Sequence, residues 1–142
     1  MNSKLSKVTD TRLITLPKIS NSKGSISIIE NFKHVPFAVN RIYYLYDIPS
    51  GSERGGHAHR ELRQLIVAAT GSFEILLDDG NERNTIFLNR PNVGLLLPPG
   101  LWREISNFSS GSICLVLASH EYEESDYIRN FNDFIKFKNV SY

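Results

Sequence analysis

Apolar residues along this chain come in short runs that are bounded by turn-forming residues. The runs cover residues 26–29, 39–46, 65–69, 73–77, 85–88, 93–97 and 113–118. Asp78-Asp79-Gly80-Asn81 and Pro98-Pro99-Gly100 mark two of the turns, and the first is a strong hairpin signal. Short strands at this spacing, with no long helices between them, predict an all-β sandwich or barrel.

Helical periodicity is confined to the C-terminal part of the chain. Ser125-Asp126 can cap a helix, and it precedes apolar residues at helical spacing, namely Tyr127, Ile128, Phe131, Phe134 and Ile135. The pattern predicts a helical tail over about 125–137. We expect this helix to pack on the sandwich, and a partner-binding helix is the less favoured alternative.

The composition narrows the class of protein. With 142 residues and a formal net charge of +1, the chain is predicted to be one domain, 1–142, with a barrel core at about 19–120. No apolar run approaches the roughly 18 residues of a membrane span, and no charge excess indicates a nucleic-acid partner. Residues 1–17 lack the apolar core of a signal peptide, and the single Cys114 cannot form an internal disulfide. We expect a cytoplasmic protein without membrane or nucleic-acid partners.

Two histidines stand at the centre of the first of two polar motifs. Residues 51–71 read G-x5-H-x-H-x4-Q-x6-G, and residues 98–107 read P-x-G-x2-R-x3-N. Because residues i and i+2 of a strand point to the same face, His57 and His59 are predicted to enter the interior together while Ala58 faces away. A lone histidine is usually structural, but two on one strand face favour a functional site.

These motifs resemble the two motifs of the cupin superfamily, which have a glutamate at the position of Gln64 and a third histidine at the position of Arg103. The resemblance implies a cupin jelly roll, or double-stranded β-helix, with the site inside the barrel. It also implies where a metal would bind, since the histidines and the glutamate are the ligands in metal cupins. Gly94 departs from the second motif, because it lies two residues nearer the proline than the motif requires.

The substitutions at Gln64 and Arg103 predict a site without a metal or other cofactor. Glutamine is a weak, neutral ligand, and arginine stays protonated and would repel a divalent cation. Two imidazoles beside a fixed cation suit proton transfer instead, because histidine titrates near neutral pH and arginine can stabilise a developing oxyanion. This combination predicts removal of a proton next to a carbonyl group. A metal cupin oxygenase is the alternative.

Segments throughout the chain also resemble one family within the superfamily, the sugar 3,4-ketoisomerases. The matching segments lie between about residues 19 and 134, and they are 41–44, 54–59, 76–80, 93–94, 101–104, 115–119 and 125–129. The resemblance implies a homodimeric, metal-free enzyme that acts on dTDP-4-keto-6-deoxy-D-glucose. Such enzymes lie on routes to 3-amino-3,6-dideoxy sugars of surface polysaccharides, S-layer glycans or antibiotics.

The reaction that this resemblance implies is a shift of the carbonyl group from C4 to C3. The C3 proton, acidified by the C4 ketone, is lost to give an enediol(ate), which is then reprotonated at C4. His57 matches the family's base, and His59 matches a partner that handles protons on the sugar oxygens or at C4. Arg103 would contact the sugar or enediolate oxygens. It also resembles the branch that forms the gluco product and not the galacto product.

Further residues are expected to hold the substrate. Arg41 and Arg54 lie in matching segments and are candidates to bind the diphosphate, with solvated surface charge as an equal alternative. Gln64 is expected to share its strand with the histidines and to contact the sugar or a histidine. Tyr43, on the same face as Arg41, is predicted to face the site in preference to its neighbour. Lys23 falls at a second position that discriminates the two products, although it matches neither residue expected there.

Two other functions are compatible with the motifs. A dTDP-sugar 3,5-epimerase shares the barrel and the histidine base, but it would exchange protons at C3 and C5 and leave the ketone at C4. A non-catalytic nucleotide-sugar-binding cupin would bind the same ligand without turnover.

Overall fold

Two five-stranded antiparallel sheets enclose the core in the computed structural model, which describes residues 2–139. The strand order of the first sheet is β1 (Arg12–Thr15), β9 (Val93–Leu97), β6 (Gln64–Thr70), β11 (Ile113–Ala118), β4 (Arg41–Leu45). That of the second is β12 (Tyr127–Ile128), β5 (Arg54–His59), β10 (Trp102–Ser106), β7 (Phe73–Asp78), β8 (Arg83–Leu88). A separate hairpin joins β2 (Lys18–Asn21) to β3 (Gly24–Ser27), and the helix α1 (Phe131–Lys138) follows β12. The prediction of an all-β cupin jelly roll with a short C-terminal helix is confirmed.

Apolar side chains that alternate along the strands fill the space between the two sheets. In β7, the side chains of Phe73, Ile75 and Leu77 are fully buried in this interior cluster. The central strand β6 is buried on both faces, because Ile66 joins the interior cluster whereas Leu65 packs in a second cluster beneath the loop between β3 and β4. This double burial explains why β6 reads as an uninterrupted apolar run and not as an alternating pattern.

The strands that the apolar runs predict are present. The runs correspond to β3, β4, β6, β7, β8, β9 and β11, and the bounds agree fully for the last two. The strand β5 was predicted from the H-x-H pattern, whereas β1, β2, β10 and β12 were not predicted. Every residue of β2 is exposed, so this strand carries no apolar alternation that a pattern analysis could detect.

The predicted helical tail over 125–137 begins too early. Residues Glu124–Asp126 form a 3-10 turn, and β12 then pairs with the edge of β5. The helix α1 begins only after Asn130, whose side chain accepts a hydrogen bond from the backbone N–H of Asp133 at 3.1 Å and so caps the helix. Phe134 of α1 is fully buried against Trp102, so the helix packs on the sandwich. Within the residues described, no helix has the length and apolar character needed to cross a membrane.

Candidate active site

Strand β5 places both histidines of the first motif inside the barrel. The imidazole of His57 lines a cavity of about 330 Å³, whereas that of His59 is fully buried behind it, with 0% exposure. The two Nε2 atoms are 3.1 Å apart. Ala58 between them faces the opposite side, where it packs with Ile128 and Phe134. The predicted orientation of the H-x-H pair is therefore observed.

A carboxylate holds the inner histidine. The Nδ1 atom of His59 lies 2.9 Å from Oδ2 of Asp126, at the end of the 3-10 turn before β12. Burial lowers the pKa of His59 to about 4, although the hydrogen bond to Asp126 opposes this shift, so the ring is neutral at neutral pH. Burial alone would raise the pKa of Asp126, but hydrogen bonds from His59 and backbone N–H groups outweigh burial and lower it. Because a carboxylate only accepts hydrogen bonds, Nδ1 of His59 carries the proton.

The arginine of the second motif lies beside His57 on the same wall of the cavity. In the pairing of β5 with β10, Arg103 is directly opposite His57, so both side chains point to the same face. Arg103 is only 1% exposed, and burial lowers its pKa to about 10, which leaves it charged at neutral pH. Its Nη1 donates to Oε1 of Gln64 at 2.5 Å, and its Nε donates to the carbonyl of Leu101 at 3.3 Å.

One nitrogen of this buried guanidinium lacks an acceptor in the part of the protein that the structure describes. Among residues 2–139, none accepts a hydrogen bond from Nη2 of Arg103. An unpaired buried N–H of a cation costs free energy, so such groups usually mark a place where a ligand binds. Since Arg103 lines the cavity, Nη2 is suited to an anionic or carbonyl oxygen there.

Gln64 is not on the strand of the histidines, so that expectation is wrong. It begins β6 in the other sheet, because the short loop after His59 carries the chain from one sheet to the other. In this loop, the carboxylate of Asp126 accepts a hydrogen bond from the backbone N–H of Glu61 at 2.7 Å. From there Gln64 spans the cavity: it accepts from Arg103, and its Nε2 donates to the hydroxyl of Tyr43 at 3.1 Å. Gln64 thereby links the two walls.

The mouth of the cavity is basic and aromatic. Arg41 and Tyr43 both line it, as predicted from their shared face on β4, whereas Tyr44 is exposed. Nη2 of Arg41 donates to the hydroxyl of Tyr127 at 3.3 Å, and its guanidinium lies 5.1 Å from the ring of Tyr43. Arg54, which is exposed, also lines the cavity. The full set of lining residues is Arg41, Tyr43, Leu45, Arg54, His57, Gln64, Ile66, Arg103, Ile105, Val116, Tyr127 and Arg129.

Sequence analysis missed three site residues in the segment 125–129. Asp126 binds His59, Tyr127 packs its ring 4.4 Å from that of His59, and Arg129 lies over Tyr127 at 4.2 Å. The segment was among those that resemble the ketoisomerases, which was the available signal. The apolar spacing of residues 125–129 is also typical of the first turn of a helix, and the helical interpretation left these three residues out of the predicted site.

Lys23, which the sequence predicts as a substrate contact, is not among the described residues that line the cavity. It is exposed in the turn between β2 and β3, where its backbone N–H donates to the side chain of Asn21 at 2.7 Å. The hairpin β2–β3 forms a sheet of its own, separate from the two sheets whose strands line the cavity.

The residues at the cupin metal positions do not fit a metal ion. Oε1 of Gln64, the atom that would bind a metal, is occupied by Arg103, and Arg103 itself is a buried cation. Within the described part of the chain, no three His, Cys, Asp or Glu side chains are grouped as metal ligands. These side chains can accept, donate and relay protons next to a fixed positive charge.

Comparison with known proteins identifies relatives of one enzymatic class. A family model described as FdtA: WxcM-like, C-terminal, matches residues 9–139. The TDP-4-oxo-6-deoxy-alpha-D-glucose-3,4-oxoisomerase of Aneurinibacillus thermoaerophilus is 42% identical over 128 residues, which make up 90% of this chain and 92% of the relative.

Solved structures of 3,4-ketoisomerases share the fold. The enzyme from Helicobacter canadensis has a TM-score of 0.90 and 43% identity, and the match covers 92% of this chain and 98% of that one. A mutant of the 3,4-ketoisomerase QdtA from Thermoanaerobacterium thermosaccharolyticum, in complex with TDP-4-keto-6-deoxyglucose, has a TM-score of 0.89 and 36% identity, with 92% and 94% covered. The chain therefore belongs to the FdtA family (WxcM-like, C-terminal) of dTDP-sugar 3,4-ketoisomerases.

Proposed function

We propose that this protein moves the keto group of dTDP-4-keto-6-deoxy-D-glucose from C4 to C3 through an enediol(ate), without a metal. The observation that carries the proposal is the side-by-side placement of His57 and the buried Arg103 in one cavity, with Nη2 of Arg103 lacking a protein acceptor among the described residues. The relatives support it, since one is named for this reaction and another was solved with this keto-sugar.

In the proposed mechanism, His57 removes the C3 proton and the C3–H electron pair enters the enediolate. The negative charge that develops on the C4 oxygen accepts a hydrogen bond from Arg103, whose cation needs no reorganisation during the step. The proton of the C3 hydroxyl passes to the C4 oxygen, and protonation at C4 then leaves the ketone at C3. His59 does not line the cavity, so we assign it no direct contact with the sugar and retain it as the hydrogen-bond partner of His57.

The configuration of the product at C4 depends on which wall of the cavity supplies the C4 proton. In the gluco product, the new hydrogen at C4 lies on the face opposite to the hydrogen lost from C3, whereas in the galacto product both lie on the same face. His57 and Arg103 share one wall, and arginine does not release its proton at neutral pH. We therefore favour the gluco product, with the C4 proton delivered from the side of Tyr43 on the opposite sheet.

Incubation with dTDP-4-keto-6-deoxy-D-glucose in deuterium oxide, followed by NMR of the sugar, tests the function. We expect the ketone at C3, one deuterium at C4 in the gluco configuration, and no exchange at C5. The rate should be unchanged after treatment with EDTA. Deuterium at C3 and C5 with the ketone still at C4 would identify an epimerase, and binding without turnover would identify a binding protein. Activity that is lost with EDTA and restored by a divalent metal would refute a metal-free site.

We also propose that the protein is a homodimer. Apolar side chains are exposed on the hairpin β2–β3, where Ile19 and Ile26 are 57% and 62% exposed, and on the outer face of β4, at Ile42 and Tyr44. Contiguous exposed apolar residues mark surfaces that a partner covers. Light scattering coupled to gel filtration should give twice the chain mass of 16.1 kDa. A single species at 16.1 kDa would contradict the proposal.

A further inference from the structure

We propose that Asp126 is a positioning residue that fixes the protons of both histidines and so keeps one nitrogen of His57 basic. The inference deepens the proposed function, because it rests on His57 as the base. Asp126 does not line the cavity, and it reaches the reacting atoms only through His59.

The two hydrogen bonds that join Asp126, His59 and His57 are consistent with one arrangement of protons along this series when the carboxylate is ionised. Oδ2 of Asp126 accepts from Nδ1 of His59, so the neutral His59 ring has a lone pair at Nε2. This Nε2 lies 3.1 Å from Nε2 of His57, and a hydrogen bond at that distance requires His57 to donate. His57 therefore carries its proton on Nε2, and its Nδ1 is the nitrogen that can accept a proton.

This arrangement also stabilises the charge that proton abstraction creates. When the C3–H bond breaks, its electron pair enters the enediolate and the proton forms a new N–H bond at Nδ1 of His57. The resulting imidazolium still donates from Nε2 to His59, which in turn donates to the carboxylate of Asp126. Both hydrogen bonds, from His57 to His59 and from His59 to Asp126, strengthen as positive charge appears on His57, because the final acceptor is a carboxylate.

The surroundings hold the relay in place. The ring of Tyr127 lies 4.4 Å from that of His59 and 5.3 Å from that of His57, so it packs against both imidazoles. The other oxygen of Asp126, Oδ1, accepts from the backbone N–H of Glu61 at 2.7 Å, which orients the carboxylate toward His59. Asp126 therefore has an anchoring role in the loop as well as a role in the relay, and a test must separate the two.

Replacing Asp126 with Asn separates the anchoring role of this residue from its role in the relay. The amide oxygen of Asp126→Asn retains the bond to the backbone of Glu61, but its NH₂ group faces Nδ1 of His59 and donates to it. The proton of His59 then moves to Nε2, which donates to His57, and His57 must carry its proton on Nδ1. The basic nitrogen is lost although no atom of the cavity has changed. We expect kcat to fall about 10²–10⁴-fold, as a wrong tautomer does in other histidine relays, while the Kd for TDP stays within about threefold.

The tautomers themselves are the readout that a purely structural role would not change. In ¹⁵N-labelled protein at neutral pH, long-range ¹H–¹⁵N spectra should show His59 protonated on Nδ1 and His57 on Nε2, with both reversed in Asp126→Asn. Asp126→Glu, which restores a carboxylate, should recover the wild-type tautomers in part. Asp133→Asn, a matched change at an exposed carboxylate in α1, should leave activity and tautomers unchanged.

Two results would overturn the proposal. The first is a wild-type spectrum with His59 protonated on Nε2, which needs no variant to fold. The second is a folded Asp126→Asn protein with reversed tautomers and undiminished kcat. If the wild-type protein proved inactive on the keto-sugar, the proposed function would fail on its own, while the spectra would still report whether Asp126 sets the tautomers.

Discussion

His57→Asn should lower kcat for isomerisation about 10²–10⁴-fold, the usual contribution of a positioned general base. Asparagine has similar polarity and can still hydrogen-bond to His59, but it cannot accept the C3 proton at neutral pH. The residues proposed to hold the diphosphate, Arg41 and Arg54, are unchanged. The Kd for TDP, measured by calorimetry, should therefore stay within about threefold, so that the loss appears in kcat and not in binding.

The control for this variant is the same change at a histidine outside the cavity. His120 is exposed and bonds Oγ of Ser119 at 2.7 Å, so His120→Asn should keep full activity. Both variants should retain the circular dichroism spectrum of the wild type. Undiminished turnover by His57→Asn would remove His57 from the role of base. A parallel loss of TDP binding would instead indicate that His57 shapes the nucleotide site.

The barrel could be predicted from sequence because its strands are amphipathic or apolar and are separated by turn residues. The runs at β9 and β11, which are buried strands of the first sheet, agree fully with the observed bounds. Pattern analysis fails where burial does not decide the conformation. Strand β2 is fully exposed, and β12 is two residues long and forms because the edge of β5 offers backbone partners. Neither leaves a periodic signal in the sequence.

The centre of the site could be predicted for a related reason. Side chains alternate along a strand with a period of two, so His57 and His59 share a face whatever the rest of the fold. The match to the second motif assigned Arg103 to the same site. The position of Gln64 could not be obtained in this way, because the motif spacing does not show that the chain crosses to the other sheet between His59 and Gln64. Contact across the barrel, and not proximity in sequence, brings Gln64 to Arg103.

Asp126 shows the limit of motif reasoning most clearly. It lies 67 residues from His59 in the sequence, and the two meet only because β12 pairs with β5 after the 3-10 turn. An aspartate before an apolar segment is also a common helix cap, and that interpretation competed with one in which Asp126 binds a histidine. Only the folded chain distinguishes a cap from a carboxylate that orients a histidine.

Arg103→His should shift the product toward the galacto configuration at C4. The new imidazole would stand beside His57 on the same wall of the cavity, since the two positions are paired across β5 and β10. Unlike arginine, it can give up a proton near neutral pH. It would therefore protonate C4 from the face that lost the C3 hydrogen, which is the geometry of the galacto product. NMR coupling constants of the C4 hydrogen in the product measure the ratio of the two epimers.

Arg103→Met separates the two consequences of losing the arginine. Methionine fills much of the same volume but offers neither a charge nor an exchangeable proton, so kcat should fall about 10²–10³-fold, the usual effect of removing one oxyanion donor, with no galacto product. Oε1 of Gln64 loses its arginine donor in both variants, so a similar decrease in melting temperature is expected for each. A galacto product from Arg103→Met would show that space, and not the imidazole, selects the face. Wild-type rate and epimer ratio in both folded variants would show that Arg103 touches neither the developing charge nor C4.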